Sequence, residues 1–385
     1  MASHKRKFFK KGQTAPEKRW RRQEQAIRNE ERQQERMLKK VPSLGHLTHF
    51  ATTVFNAPNR ERKVEAAIAT CQMLSSHAVP ALDDLAHSNI LTILVESLGQ
   101  ENPLLQLEAA NAVKDIAYAS PEHSLQIATS GAVPLLAELI VSPYYKVCEQ
   151  AVCALVNIIA ESPSLRDFIV NHGVVEKLIY LLGHNEIIVQ KSALLCLANI
   201  ATGSDEQIQV LLNHNVMSCM PALLSHSKES VRCEALWFLF KIASGNAMQK
   251  QAVVDAGLLP KVAENLRIGR AALKTPGFLT ICVLAINSNR NFLLSLIRLC
   301  VIPGLCDLLG CQDDTTVTYY VLFLLGLMLG VDASYAEEVA GIIQFSEGLR
   351  KIQALLNHAD VDVHQLARQL IWQYFSDNAS NGTQI

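Results

Sequence analysis

The residues best equipped for chemistry are 12 histidines and 10 cysteines, and their spacing argues against catalysis. The histidines are scattered, with no H-E-x-x-H and no Cys/His ligand spacing for a metal, and no glycine-rich phosphate loop is present. No pair of cysteines forms C-x-x-C, and most sit inside apolar helical patterns, as small buried hydrophobes of a reducing compartment do. Binding chemistry is better represented. Residues 1–40 hold 14 Lys/Arg against 5 Asp/Glu, whereas the rest of the chain holds 21 against 31. The formal net charge of −1 therefore hides a basic arm on an acidic body. The expectation is a binding protein, not an enzyme, with no cofactor and no metal.

The elements that position these residues repeat. The segments AANAVKDIA (109–117), QAVCALVNIIA (150–160), SALLCLANIAT (192–202) and EALWFLFKIAS (234–244) align so that Asp115, Asn157, Asn199 and Lys241 fall 42 residues apart. Gly131, Gly173, Asn215 and Gly257 keep the same step. Each unit reads as helices broken at the Gly or Asn, ending in leucine pairs such as LAELI and LIYLL, with no β-type alternation. A period near 42 fits armadillo/HEAT repeats, whose units must stack to bury a continuous core. The fold expected is all-α: an armadillo-repeat, right-handed superhelical solenoid with a concave groove. About seven and a half repeats occupy residues 64–377, less regular at both ends as capping requires. Residues 41–63, with Pro42 and Pro58, read as a linker, and 378–385 as a disordered tail.

The arm is helix-forming from Glu17 to Lys40 but has almost no apolar face, so it would fold against an acidic partner. The apolar stretch 317–331 is shorter than the roughly 20 residues a bilayer needs and reads as a core helix. Without a secretory h-region in residues 1–40, the location expected is cytoplasmic and nuclear.

Three stretches resemble the importin alpha (karyopherin alpha) family. They are the arm KRKFFKKGQTAPEKRWRRQEQAIRNEERQQERMLKK, the phrase CEQAVCALVNIIAESPSLRDFIVNHGVVEKLIYLL (148–182), and the end EGLRKIQALLNHADVDVHQLARQLIWQYFSD. The resemblance implies that the arm binds importin beta through Lys10, Lys11, Lys18, Arg19, Arg21, Arg22, Arg28, Arg32, Arg36, Lys39 and Lys40. Only Lys39 and Lys40 remain of the family's closing, cargo-mimicking cluster, which makes self-binding weak. The family has ten repeats, and about three central ones are missing here after Leu182.

The resemblance further implies a cargo-peptide groove built from a Trp one turn before an Asn on each groove helix. The amide holds a ligand main chain, indole faces hold Lys or Arg stems, and acids select positive charge. In this sequence the Trp positions are Asn111, Cys153, Leu195 and Trp237, and the Asn positions are Asp115, Asn157, Asn199 and Lys241. No repeat keeps both members. The groove residues carried over are Asn157, Glu161, Asn199, Glu234 and Trp237. Asn157 and Asn199 have a second reading as polar residues between repeats, Trp237 one as a core plug, and Trp372 reads as terminal packing. The function implied is a nuclear-import adaptor joining cargo to importin beta. The alternatives are an importin-beta-binding scaffold that has lost basic-peptide binding, and an armadillo scaffold whose arm binds nucleic acid, the less favoured reading.

Overall fold

The computed structural model describes residues 42–76, 79–286, 288–309 and 314–375. The basic arm and the tail at 378–385 lie outside them. All regular elements among the described residues are helical, and they fall into two compact units, one ending at Cys219 and the other beginning at Met220.

The first unit contains α1 (Leu44–Phe55), α2 (Arg60–Ser76), α3 (Leu82–His87), α4 (Ile90–Leu98), α5 (Pro103–Ala117), α6 (Pro121–Thr129) and α7 (Ala132–Leu139). It continues through α8 (Tyr145–Glu161), α9 (Pro163–Val170), α10 (Val174–Leu181), α11 (Ile187–Ile200), α12 (Asp205–Asn213) and a 3-10 turn at Val216–Cys219. The second unit has α13 (Met220–Leu224), α14 (Glu229–Ala243), α15 (Ala247–Asp255), α16 (Leu259–Ile268), α17 (Ala271–Ala285) and α18 (Arg290–Arg298). It ends with α19 (Ile302–Leu308), α20 (Thr315–Leu329), α21 (Ala333–Phe345), α22 (Gly348–Ala354) and α23 (Val361–Tyr374).

Each repeat is thus one long helix and two short ones. In the first unit the long helices α2, α5, α8 and α11 pack side by side; in the second, α14 packs on α17, α17 on α20 and α20 on α23. Small residues such as Ala109, Ala110, Ala151, Ala154 and Ala193 are fully buried and let neighbouring long helices approach.

Two local devices recur along the repeats, although α3 has no side-chain cap. The first short helix is capped by Ser120, Ser162, Ser204, Asn246, Asn289 or Asp332, whose side-chain oxygen accepts a first-turn backbone N–H. Before the second short helix the chain turns through the left-handed region at Asn89, Gly131, Gly173, Asn215, Gly257, Cys300 and Glu347, with φ between 55° and 91°. This series extends the Gly/Asn marker of the sequence by three positions. Cys300 and Glu347 hide it, because neither residue type favours that conformation.

The expectation of a linker over 41–63 is corrected. Residues 44–55 form α1, capped by Ser43, with Leu47, Ala51 and Val54 buried against α2, α3 and α4. Pro42 and Pro58 flank this helix and its connection to α2; they punctuate helices instead of making the segment extended. The apolar run at 317–331 falls in α20 as far as Leu329 and is largely buried, and among the described residues no single helix is long and apolar enough to cross a membrane.

A proline inside α17 has a compensation. Pro276 has no N–H to give the Ala272 carbonyl, and the Cys233 thiol of α14 donates to that oxygen at 3.4 Å.

Candidate binding face of the long helices

On α8 the residues Val147, Cys148, Ala151, Val152, Ala154, Leu155, Ile158 and Ile159 are buried, while Glu149, Gln150, Cys153 and Asn157 are half-buried and Glu161 is exposed. The second set follows helical spacing along one stripe. On α5 the matching stripe is Glu108, Asn111, Lys114 and Asp115, all half-buried. On α11 it is Lys191 and Leu195, with Asn199 only 7% exposed.

Side chains cross between these helices at regular places. Gln72 donates to Glu108 at 3.1 Å, and Lys114 donates to Gln150 at 2.8 Å, each pair being 36 residues apart. Lys114 also donates to Asn111 Oδ1 at 3.1 Å and stands 3.8 Å from the Asp115 carboxylate. Between the next two long helices, α8 and α11, the Cys153 thiol meets the Ser192 hydroxyl at 3.6 Å, a pair 39 residues apart and so out of that register.

The two asparagines of the ladder point back along the repeat array. Asn157 Nδ2 donates to the Lys114 carbonyl at 2.9 Å, and Asn199 Nδ2 to the Val156 carbonyl at 3.5 Å. Each ties its helix to the last turns of the preceding long helix, the inter-repeat role that was the second reading of these residues. Asn157 remains half-buried, so its amide still borders the surface.

Charges along the stripe are mixed. Burial pushes the Glu149 carboxyl above the usual carboxylate range, and the Lys114 and Lys146 cations oppose that push. Burial also raises Glu161, with the neighbouring Glu122 carboxylate acting in the same sense. Burial drives the Cys71, Cys148 and Cys306 thiols up to about 12, leaving them as packing groups and not nucleophiles. Among the described residues no group of three or more His, Cys, Asp and Glu side chains could hold a metal ion.

In the second unit the expected groove residues lie deeper. On α14, Glu234 is 4% exposed and Trp237 1%. Trp237 stands edge-on to Phe240 at 6.0 Å between ring centroids, and the Lys241 ammonium lies 5.8 Å from the Phe240 ring centre. The expectation that Glu234 and Trp237 wall an open groove is therefore corrected to buried positions. The run Ala-Leu-Trp-Phe-Leu-Phe gives this part of α14 no polar stripe, and every side chain from Cys233 to Ala243 is covered. Trp372, expected to pack at the terminus, is instead 77% exposed on α23.

The sequence reading overlooked a further set of contacts. Lys177 of α10 donates to the Ala137 carbonyl of α7 at 2.6 Å, and Lys351 of α22 to the Cys306 carbonyl of α19 at 2.9 Å. Each lysine follows the left-handed residue of its repeat, Gly173 or Glu347, by four positions. That offset was the available signal.

Comparison with known proteins agrees with this architecture. The armadillo/beta-catenin-like repeat profile matches residues 120–160, 162–202 and 204–244, and the atypical Arm repeat profile matches 337–384. Importin subunit alpha-6 of Arabidopsis thaliana is 34% identical over 114 residues, covering 29% of this chain and 21% of that protein. Importin subunit alpha-2 of Caenorhabditis elegans is 30% identical over 115 residues, 30% of this chain and 22% of that one. These matches span about a fifth of the relatives' own length. Among solved structures, an engineered protein superposes with a TM-score of 0.70 at 25% identity, covering 84% of this chain and 77% of its own. A designed armadillo repeat protein in complex with the peptide (KR)4 gives 0.57 at 26% identity, covering 62% and 99%.

Proposed function

Because the chain is an armadillo-repeat protein of divergent, importin-alpha-like sequence, we propose that it works as a nuclear-import adaptor, a binding scaffold and not an enzyme. The observation that carries this reading is the identity of 34% to an importin alpha subunit over 114 residues. In this reading the arm, residues 1–40, recruits importin beta. Lys10, Lys11, Lys18, Arg19, Arg21, Arg22, Arg28, Arg32, Arg36, Lys39 and Lys40 pair with acidic surface on that partner. The face of the first unit's long helices carries a cargo segment, with Asn157 and Glu161 as its accessible contacts and Asn199 beneath them. Such a protein works in both cytoplasm and nucleus.

One observation favours a narrower version, a scaffold that binds importin beta but takes cargo without a basic signal peptide. The two ladder asparagines already bond to backbone of the preceding repeat, and the tryptophan is buried. The test is transport of the labelled full chain into nuclei of permeabilised cells supplied with importin beta. Accumulation that disappears when Lys18, Arg19, Arg21 and Arg22 are all changed to Ala supports the adaptor, and exclusion of the unaltered chain sinks it.

A further inference from the structure

We propose that Lys114 is a specificity residue, its ammonium filling the seat on the α5 and α8 stripe that a lysine or arginine of a bound segment would otherwise take. The proposal rests on the reading that this face holds an extended segment. Three acceptors from two helices converge on the seat: Asn111 Oδ1 at 3.1 Å, Gln150 Oε1 at 2.8 Å and the Asp115 carboxylate at 3.8 Å. An ammonium has three N–H donors and no acceptor, so one carboxylate and two amide oxygens form a complementary site for a single cation. That site is at the surface, since the Lys114 and Asp115 side chains are 17% and 25% exposed. An incoming cation meets a like charge already hydrogen-bonded to the two amide oxygens and ion-paired with the carboxylate, which is rejection by an occupied seat and not by its absence.

The repeat before supplies a comparison within the same molecule. There the bridge between long helices is made by Gln72 donating to Glu108 at 3.1 Å, with the same spacing of 36 residues. A neutral amide therefore serves the structural purpose, and the positive charge at 114 is an addition to it. Lys146 places a second cation near the same stripe, where both lysines act on Glu149. The backbone at 114 is held independently of its side chain, because its carbonyl accepts the Asn157 amide at 2.9 Å. Replacing the lysine should empty the seat without moving its walls.

The experiment uses the full chain, Lys114→Gln, which copies the Gln72 bridge, and Lys114→Met, which keeps the apolar stem. Each is titrated by fluorescence anisotropy with labelled (KR)4 and with a neutral peptide of equal length. Both variants should bind (KR)4 at least about tenfold more tightly than the unaltered chain, a gain that shrinks with salt. Adding Asp115→Asn should abolish the gain, and neutral-peptide binding should not change. Folded variants that gain nothing for (KR)4 overturn the proposal, as does a gain that survives Asp115→Asn. If the neutral peptide still binds and Asn157→Ala weakens it, only the Lys114 seat has failed. If no peptide binds any form, the peptide-holding reading of the face has failed with it.

Discussion

At the residue scale, the positions that mark each repeat are sites of conformation before they are sites of contact. A Cβ built on Gly131, Gly173 or Gly257 meets nothing within 4 Å, so glycine is there for its φ and not for lack of room. Cys300 and Glu347 adopt the same conformation at the cost that side chains carry there. Glu347→Gly and Cys300→Gly should therefore each stabilise the local repeats by about 0.5–1 kcal/mol, and Gly173→Ala should destabilise by about 1 kcal/mol. Urea denaturation followed by circular dichroism reads both signs. A second prediction concerns acid. Backbone hydrogen bonding from Ser334, then the Arg290 guanidinium and the Ser334 hydroxyl, lowers Asp332 from 3.8 to about 2. A carboxyl depressed in the folded state stabilises above its unfolded value, and that contribution is lost as pH falls through the folded one. Between pH 3.8 and about 2 the native chain should thus lose more stability than Asp332→Asn does, read by acid titration of both proteins.

At the element scale, the caps and the helix α1 decide how much of the array is ordered. Ser162 caps α9 through the Leu165 N–H. Ser162→Ala should cost about 1 kcal/mol, seen as faster amide exchange across α9. Leu47 in α1 is fully buried, so Leu47→Ala should cost about 2–4 kcal/mol and loosen α2 to α4 in the same measurement. An unstructured linker would give no change. The long helices were legible in the sequence because a period of 42 residues carried both their polar and their Gly/Asn positions. The caps at Ser120, Ser162, Ser204 and Asn246 keep that period too, and were equally readable. α1 was not, since its prolines lie outside the helix and its apolar positions 47, 51 and 54 span barely two turns. The candidate face was half legible. Its stripe follows from helical spacing, but whether Asn157 faces a ligand or the preceding repeat depends on how closely α5 and α8 approach, which spacing does not reveal. Burial of Trp237 likewise comes from packing around α14.

At the scale of the whole molecule, an acidic repeat body carries a basic arm, and the two invite different partners. In the proposed adaptor reading, the mixed charge of the first unit's stripe, with Lys114 and Lys146 among Glu108, Asp115, Glu149 and Glu161, would separate this chain's recognition from that of a uniformly acidic groove. The arm's sequence, by contrast, keeps its basic residues in dense and regular order. The measurement that bears most directly on the adaptor reading is titration of importin beta into the purified full chain by calorimetry at low and at physiological salt. Binding at low salt that weakens steeply as salt rises, and is lost when Lys18, Arg19, Arg21 and Arg22 become Ala, is the result expected. No binding at either salt, or binding indifferent to those four substitutions, would contradict it.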